Sequence, residues 1–418
     1  MAFETFERLK KQLKERSTVL KTLKIVKRYF TEFKKENDKN KYNQKNKVIT
    51  LYPKGPSNGS VLFSYINDGF FLLDKTTQIP NTHTNIWQSI IMAQTFVDLG
   101  YEVDVIHYSN QSFLPEKNYS YFLDVRHNLA RLSPILNDDC IKIVHLDTAN
   151  ILFQNAAEAS RLLDLQKRRG VTLQPRRFEN PNLAIEFADY ATTCGNDFTI
   201  GTFGFANKNI YKLPSPCGVS FDKPQKKWEN CRNNFLWFSG NTPAFKGLDL
   251  ALDAFKEMPD CHLIICGKIE PKKGFMEEYY KELYETPNIK TIGWVDINSQ
   301  SFKQITDSCV AMLHLSCSEG GAPSVKMCMH AGLIPIISHE SGVDVEDFGY
   351  VLHDCSITNI INIVNTVKSL PVDILSEKSL NSWTYARRHH TRENFANEFR
   401  TVVLKIMSEA NKKNHLQK

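Results

Sequence analysis

Apolar positions along the chain change period several times, and the changes mark its elements. The first stretch carries Phe3, Phe6, Leu9, Leu13, Leu20, Leu23, Val26, Phe30 and Phe33 at three-to-four-residue steps with Lys and Arg between them, the pattern of a basic amphipathic helix. Residues 34–47 are almost wholly Lys, Asn, Glu, Asp and Gln and read as a solvated linker, so folded material is expected from about Val48. Short apolar runs then alternate with helical patterns. Strands are predicted at 60–66, 100–107, 141–145 and 190–194, with helices over 85–99 and 154–170 between them.

Pro, Lys, Asn and Asp gather over 212–232 and interrupt the alternation, as an interdomain connection would. It resumes with strands at 234–239, 261–266, 289–292, 310–315 and 334–337, separated by helices at 248–256, 274–283, 301–307 and 324–331. Strand and helix in alternation predict parallel sheets with helical crossovers, buried on both faces. The expected fold is α/β, two Rossmann-like doubly wound domains facing a cleft. The expected division is 1–47 for the helix and linker, 48–215 for the first domain, 216–385 for the second, and 386–418 for a helix returning to the first. Ligands of such sheets bind beyond the carboxyl ends of the strands.

Charge sharpens this picture. The 418 residues carry 52 Lys and Arg against 46 Asp and Glu, a formal +6, but residues 1–47 alone hold 15 basic and 6 acidic side chains, a net of +9. The rest of the chain has 37 basic and 40 acidic residues, a net of −3, which speaks against a nucleic-acid-binding body. The basic helix is suited to a membrane surface through residues 1–33, or to self-association of the chain through its apolar seam. No apolar run is long enough to span a bilayer and the first residues lack a secretory pattern, so the expected place is the cytoplasm, with peripheral attachment to the cytoplasmic membrane face as one use of the helix. Ten cysteines without a CxxC pair are expected to be reduced and structural.

Candidate chemistry lies in three loops of the second half, each after a predicted strand: Ser239-Gly-Asn-Thr-Pro-Ala-Phe-Lys246-Gly247, Cys266-Gly267-Lys, and Ser316-Cys-Ser-Glu319-Gly320-Gly321-Ala322-Pro323-Ser324. Glycines allow close backbone approach, and a helix opening at Pro323 or Ser324 aims free N–H groups and its positive dipole end over Gly320 and Gly321, a place for a diphosphate. Lys246 is placed to neutralise it. In the first half, His83 precedes a helix N-cap at Thr84 or Asn85 and is a candidate for the acceptor side of the cleft. So are Arg176 and Arg177, which with Arg168 and Arg169 could meet a phosphate-bearing acceptor or else form a solvated basic turn.

Over 235–338 these loops, with Ile289-Lys-Thr-Ile-Gly293-Trp294-Val, resemble the nucleotide-sugar-binding half of family 4 retaining glycosyltransferases of the GT-B fold; the resemblance is looser over the rest of 60–400. It implies a transferase moving a sugar from a nucleotide-diphosphate sugar to a glycan or lipid-linked acceptor with retention, in cell-surface polysaccharide biosynthesis. It also implies donor contacts by Gly240, Lys246, Gly247, Gly267, Trp294, Glu319, Gly320, Gly321, Ala322 and Ser324. Lys246 would hold the diphosphate, Glu319 would lie against the sugar, and His145 falls near where the family keeps a histidine beside the transferred sugar; a strand-end structural histidine is the competing reading. No Asp-x-Asp motif stands at a strand end, so no metal or other cofactor is expected. Two departures stand out: Met327 replaces the second acid of the Glu-x7-Glu motif, and Thr242-Pro-Ala stands where an arginine is usual. They leave open a binding-only pseudo-transferase that scaffolds a glycan-assembly complex. A Rossmann oxidoreductase is disfavoured by the absence of a GxGxxG turn.

Overall fold

The computed structural model describes residues 44–73, 84–218, 221–269 and 274–416. The predicted amphipathic helix, most of the linker and His83 lie outside them. The first sheet contains β1 (Ile49–Leu51), β2 (Ser60–Tyr65), β3 (Glu102–His107), β4 (Tyr121–Asp124), β5 (Ile141–Leu146), β6 (Tyr190–Thr193) and β7 (Ile210–Lys212) in the order β1-β3-β2-β4-β5-β6-β7. All of its pairings are parallel except β1 with β3. The second sheet contains β8 (Asn234–Phe238), β9 (His262–Cys266), β10 (Ile289–Gly293), β11 (Ala311–His314), β12 (Ile334–Ser338) and β13 (Tyr350–Leu352), wholly parallel, in the order β10-β9-β8-β11-β12-β13. Two parallel Rossmann-like sheets are as the alternation predicts.

Strands β4, β7, β1 and β13 were not foreseen. Three of them have three residues and β4 has four, too few to display a period. Central strands are buried because helices cover both faces; every residue of β4, β11 and β12 is buried, including the polar Asp124, His314 and Ser338 at their carboxyl ends. On one face of the first sheet lie α1 (Thr84–Asp98) and the chain's last helix, Arg392–Leu416, which follows the second domain in sequence yet contributes Phe395, Phe399, Val403 and Ile406 to the first domain's core. Its rings meet α1 edge-on, Trp87 with Phe395 and Phe96 with Phe399. All ten cysteines are free thiols, eight of them buried.

The helix after β5, α2 (Ile151–Arg169), behaves unlike an ordinary crossover. Asn150 caps it by accepting the Leu152 N–H at 3.0 Å, and Gly170 ends it in the left-handed region at φ 71°. It leaves the first sheet and ends in the second domain, where Leu165 is fully buried in the core with Leu248, Leu252 and Phe255. The returning segment is strapped back on α2. The Arg176 and Arg177 N–H groups donate to the buried Glu158 carboxylate at 2.7 and 2.9 Å, and Gln154 donates to the Arg177 carbonyl at 2.7 Å. The result is an arm of the first domain, α2 and the segment returning along it, laid against the second.

Candidate active site

The loops after β8 and β11 lie side by side at the carboxyl end of the second sheet. Two bonds to the Phe245 carbonyl stitch them together, from the Cys317 N–H at 3.0 Å and the Ser316 hydroxyl at 3.2 Å. The β8 loop turns on Gly247 at φ 72°, where a Cβ would come within 2.3 Å of the Leu315 carbonyl oxygen; only glycine fits. This contact brings the Lys246 ammonium to the Glu319 carboxylate as an ion pair, both side chains largely shielded from solvent.

The Glu319 carboxylate also accepts from the Ser316 hydroxyl at 2.9 Å and from His314 Nε2 at 3.3 Å. Burial alone would raise its pKa, but the Lys246 charge and the His314 bond outweigh that and hold it well below the usual carboxylate range. His314, the last residue of β11, is fully buried, and burial lowers its pKa despite Glu319. An ionised carboxylate can only accept, so the neutral imidazole carries its proton on Nε2, and Nδ1 receives the Ser324 hydroxyl at 3.4 Å. Ser338 and Ser341 pin the backbone beneath by donating to the carbonyls of Ser316 and His314. His314 was not singled out in the sequence, and Ser316 only as the opening residue of the third loop; a histidine closing a buried strand immediately before the glycine-rich loop was the available signal.

Gly320 and Gly321 are where the second domain meets the first. A Cβ on Gly320 would stand 2.5 Å from the Asp147 carbonyl oxygen, and one on Gly321, at φ 100°, 2.3 Å from that of Cys194. The helix α3 (Pro323–His330) begins directly after, with Pro323 in its first turn and Ala322 buried at its N-cap. Its N-terminal dipole therefore faces the same corner as Lys246 and Glu319.

Other expected positions fall differently. His145 is 1% exposed, with one ring nitrogen 2.8 Å from Gln88 Nε2 and the other 2.8 Å from Thr192 Oγ1. Burial lowers its pKa to about 4. Both ring nitrogens are hydrogen-bonded in the core, where the side chain ties β5 to α1 and β6, the arrangement of the competing strand-end structural histidine. Arginines of the basic turn have acidic partners. Arg168 pairs with Asp249 and Asp253, and Arg169 with Asp253 and Glu282, all on the second domain. Arg177 lies with its guanidinium 5.6 Å from the Phe245 ring, beside the loop that follows β8. Arg176 is exposed and lines a cavity of about 320 Å3 with Glu158, Pro243, Phe245 and Phe275. Gly267 packs against β8, where a Cβ would meet the Ser239 carbonyl at 2.6 Å, Gly240 stands in open space, and Trp294 is 69% exposed. Met327 is buried on α3.

An arginine that the sequence did not single out, Arg161, reaches from α2 into the base of this site. Its guanidinium donates to the Ala244 carbonyl at 3.1 Å and the Leu315 carbonyl at 3.0 Å, 3.6 Å from the fully buried Asp249. It thus caps the loops that carry Lys246 and Glu319 and fixes their spacing. Among the described residues no group of His, Cys, Asp and Glu is arranged to hold a metal ion, and no helix is long and apolar enough to cross a membrane.

No family model matches the chain, and no curated protein matches its sequence. Solved structures do match in shape. HepE of Anabaena, solved in complex with UDP-glucose, superposes with a TM-score of 0.54 over 83% of this chain and 100% of its own, at 12% identity. Sucrose-phosphate synthase of Thermosynechococcus elongatus gives 0.54 over 84% and 100%, at 11% identity. WaaG, a glycosyltransferase involved in lipopolysaccharide biosynthesis, gives 0.50 over 82% and 99%, at 13% identity. The chain has the fold these proteins share, the GT-B arrangement of two facing Rossmann-like domains.

Proposed function

We propose that the protein is a glycosyltransferase that takes a sugar from a nucleoside diphosphate donor and transfers it, with retention, to a glycan or lipid-linked acceptor. The observation that carries this reading is the convergence of Lys246, Glu319 and the N-terminus of α3 at one corner of the interdomain cleft. A diphosphate leaving group needs fixed positive charge, and the lysine with the helix amides supplies it where water is largely excluded. In the unliganded protein Lys246 rests on Glu319. A donor draws the ammonium onto its phosphates, while Ser316 and His314 keep the carboxylate charged and aimed at the sugar hydroxyls. The cavity beside Phe245 and Phe275 offers aromatic walls to a nucleobase. HepE, with the same fold, is bound to UDP-glucose, which supports a uridine donor as the first to try.

The competing reading is a binding-only pseudo-transferase that scaffolds a glycan-assembly complex, and the apolar Met327, standing where the second acid of the motif is expected, favours it through loss of nucleotide affinity. Incubation with a panel of nucleotide-sugars, followed by chromatography of released nucleoside diphosphate, separates the two. Slow hydrolysis of one donor, lost in Lys246→Ala, supports the transferase. Absence of both hydrolysis and calorimetric binding across the panel supports the scaffold.

A further inference from the structure

On the hinge side of Gly321, where the two domains, their linker and the crossing to the last helix meet, lies a solvent-open cavity of about 410 Å3. Cys194, Gly195 and Asn196 line it from the first domain, Lys326, Gly342 and Asp344 from the second. Residues between Tyr385 and Glu398 line its remaining wall.

Lys326 is the unusual member. It is 3% exposed, and its ammonium donates to the Cys194 carbonyl at 2.9 Å and the Ser215 hydroxyl at 2.7 Å. Among the described residues no carboxylate pairs with it. Asp344 is close enough to act on it electrostatically, yet bonds to the Asn196 amide at 2.9 Å. The other lysine of the wall, Lys212, is already paired with Asp197. An ammonium has three N–H donors, and a buried cation held only by two neutral acceptors is costly unless a negative partner joins it. Burial accordingly lowers its pKa, against the pull of Asp344.

We propose that this cavity binds a small hydroxylated anion, with Lys326 holding its phosphate or carboxylate and the amides of Asn196 and Asn397 its hydroxyl groups. Bound there, the anion touches both domains and favours the seating of Gly321 on Cys194. The site uses no residue of the donor corner, so it stands whether or not the nucleotide-sugar reading does.

Calorimetry and thermal unfolding of the full chain test it, with a hexose 6-phosphate, a sugar acid and the parent neutral hexose as probes. One of the two anionic probes is expected to bind and raise the unfolding midpoint, while the neutral hexose does neither. Lys326→Met is expected to weaken that binding about tenfold or more. Asn397→Asp, an exposed change at the rim that leaves the fold alone, is expected to weaken it through charge repulsion. Lys246→Ala should leave it unchanged. Failure of both anionic probes to bind overturns the proposal. So does binding that survives Lys326→Met but is lost in Lys246→Ala, since the anion would then belong to the donor corner.

Discussion

The Lys246 ammonium and the Glu319 carboxylate, on loops after different strands, are ion-paired at the cleft, with Glu319 also held by Ser316 and His314. Each is thereby the other's competitor for a ligand. Glu319→Gln frees the lysine, so calorimetry with a nucleoside diphosphate lacking a sugar is expected to show affinity equal to or above that of the parent. Donor hydrolysis by the same variant is expected to fall by about 100-fold, the scale of losing one well-placed polar group in a transition state. Lys246→Ala should lower both, the binding by about tenfold or more.

Acid should weaken the fold in two windows. His145 has a folded pKa of about 4 against about 6.5 unfolded, so the unfolded chain takes up the proton first. The stability due to neutral His145 is complete above about pH 6.5 and declines as pH falls toward 4, by up to about 1.4 kcal/mol per pH unit. Glu319, with its pKa depressed, contributes stability above the unfolded value of about 4.3 that is lost as pH falls further. Urea midpoints measured from neutral to acid pH are expected to fall less steeply in the upper window for His145→Gln than for the parent.

Gly321→Ala places a methyl group against the Cys194 carbonyl at a left-handed backbone position. The domains must part to accept it. Small-angle scattering is expected to show a larger radius of gyration than the parent's, and donor hydrolysis to fall with it, while the helix content by circular dichroism stays the same.

The arm gives a separate test of how the domains are joined. Leu165→Ala removes a fully buried side chain from the second domain's core although its helix begins at the first sheet. Urea unfolding should lose about 2–5 kcal/mol. Arg168→Ala breaks bonds that are only partly shielded, its side chain being 24% exposed, and is expected to cost less.

Two sheets, their crossover helices and the loops bearing Lys246 and Glu319 were legible in the sequence because each depends on local pattern. A parallel strand buried on both faces is a run of apolar residues, and a glycine pair before a proline-started helix, commonly just a turn, gained meaning from its order with Lys246 on strands of one half. Tertiary structure decided the rest. The period of α2 shows that one face is buried, but the same period would serve against either domain; that Leu165 enters the second core depends on where the two sheets dock. Arg168 and Asp249 are 81 residues apart, and Gln88 and His145 are 57 apart. Charge and imidazole chemistry can be read at a position, whereas the partner that neutralises the one or occupies the other is supplied by the fold.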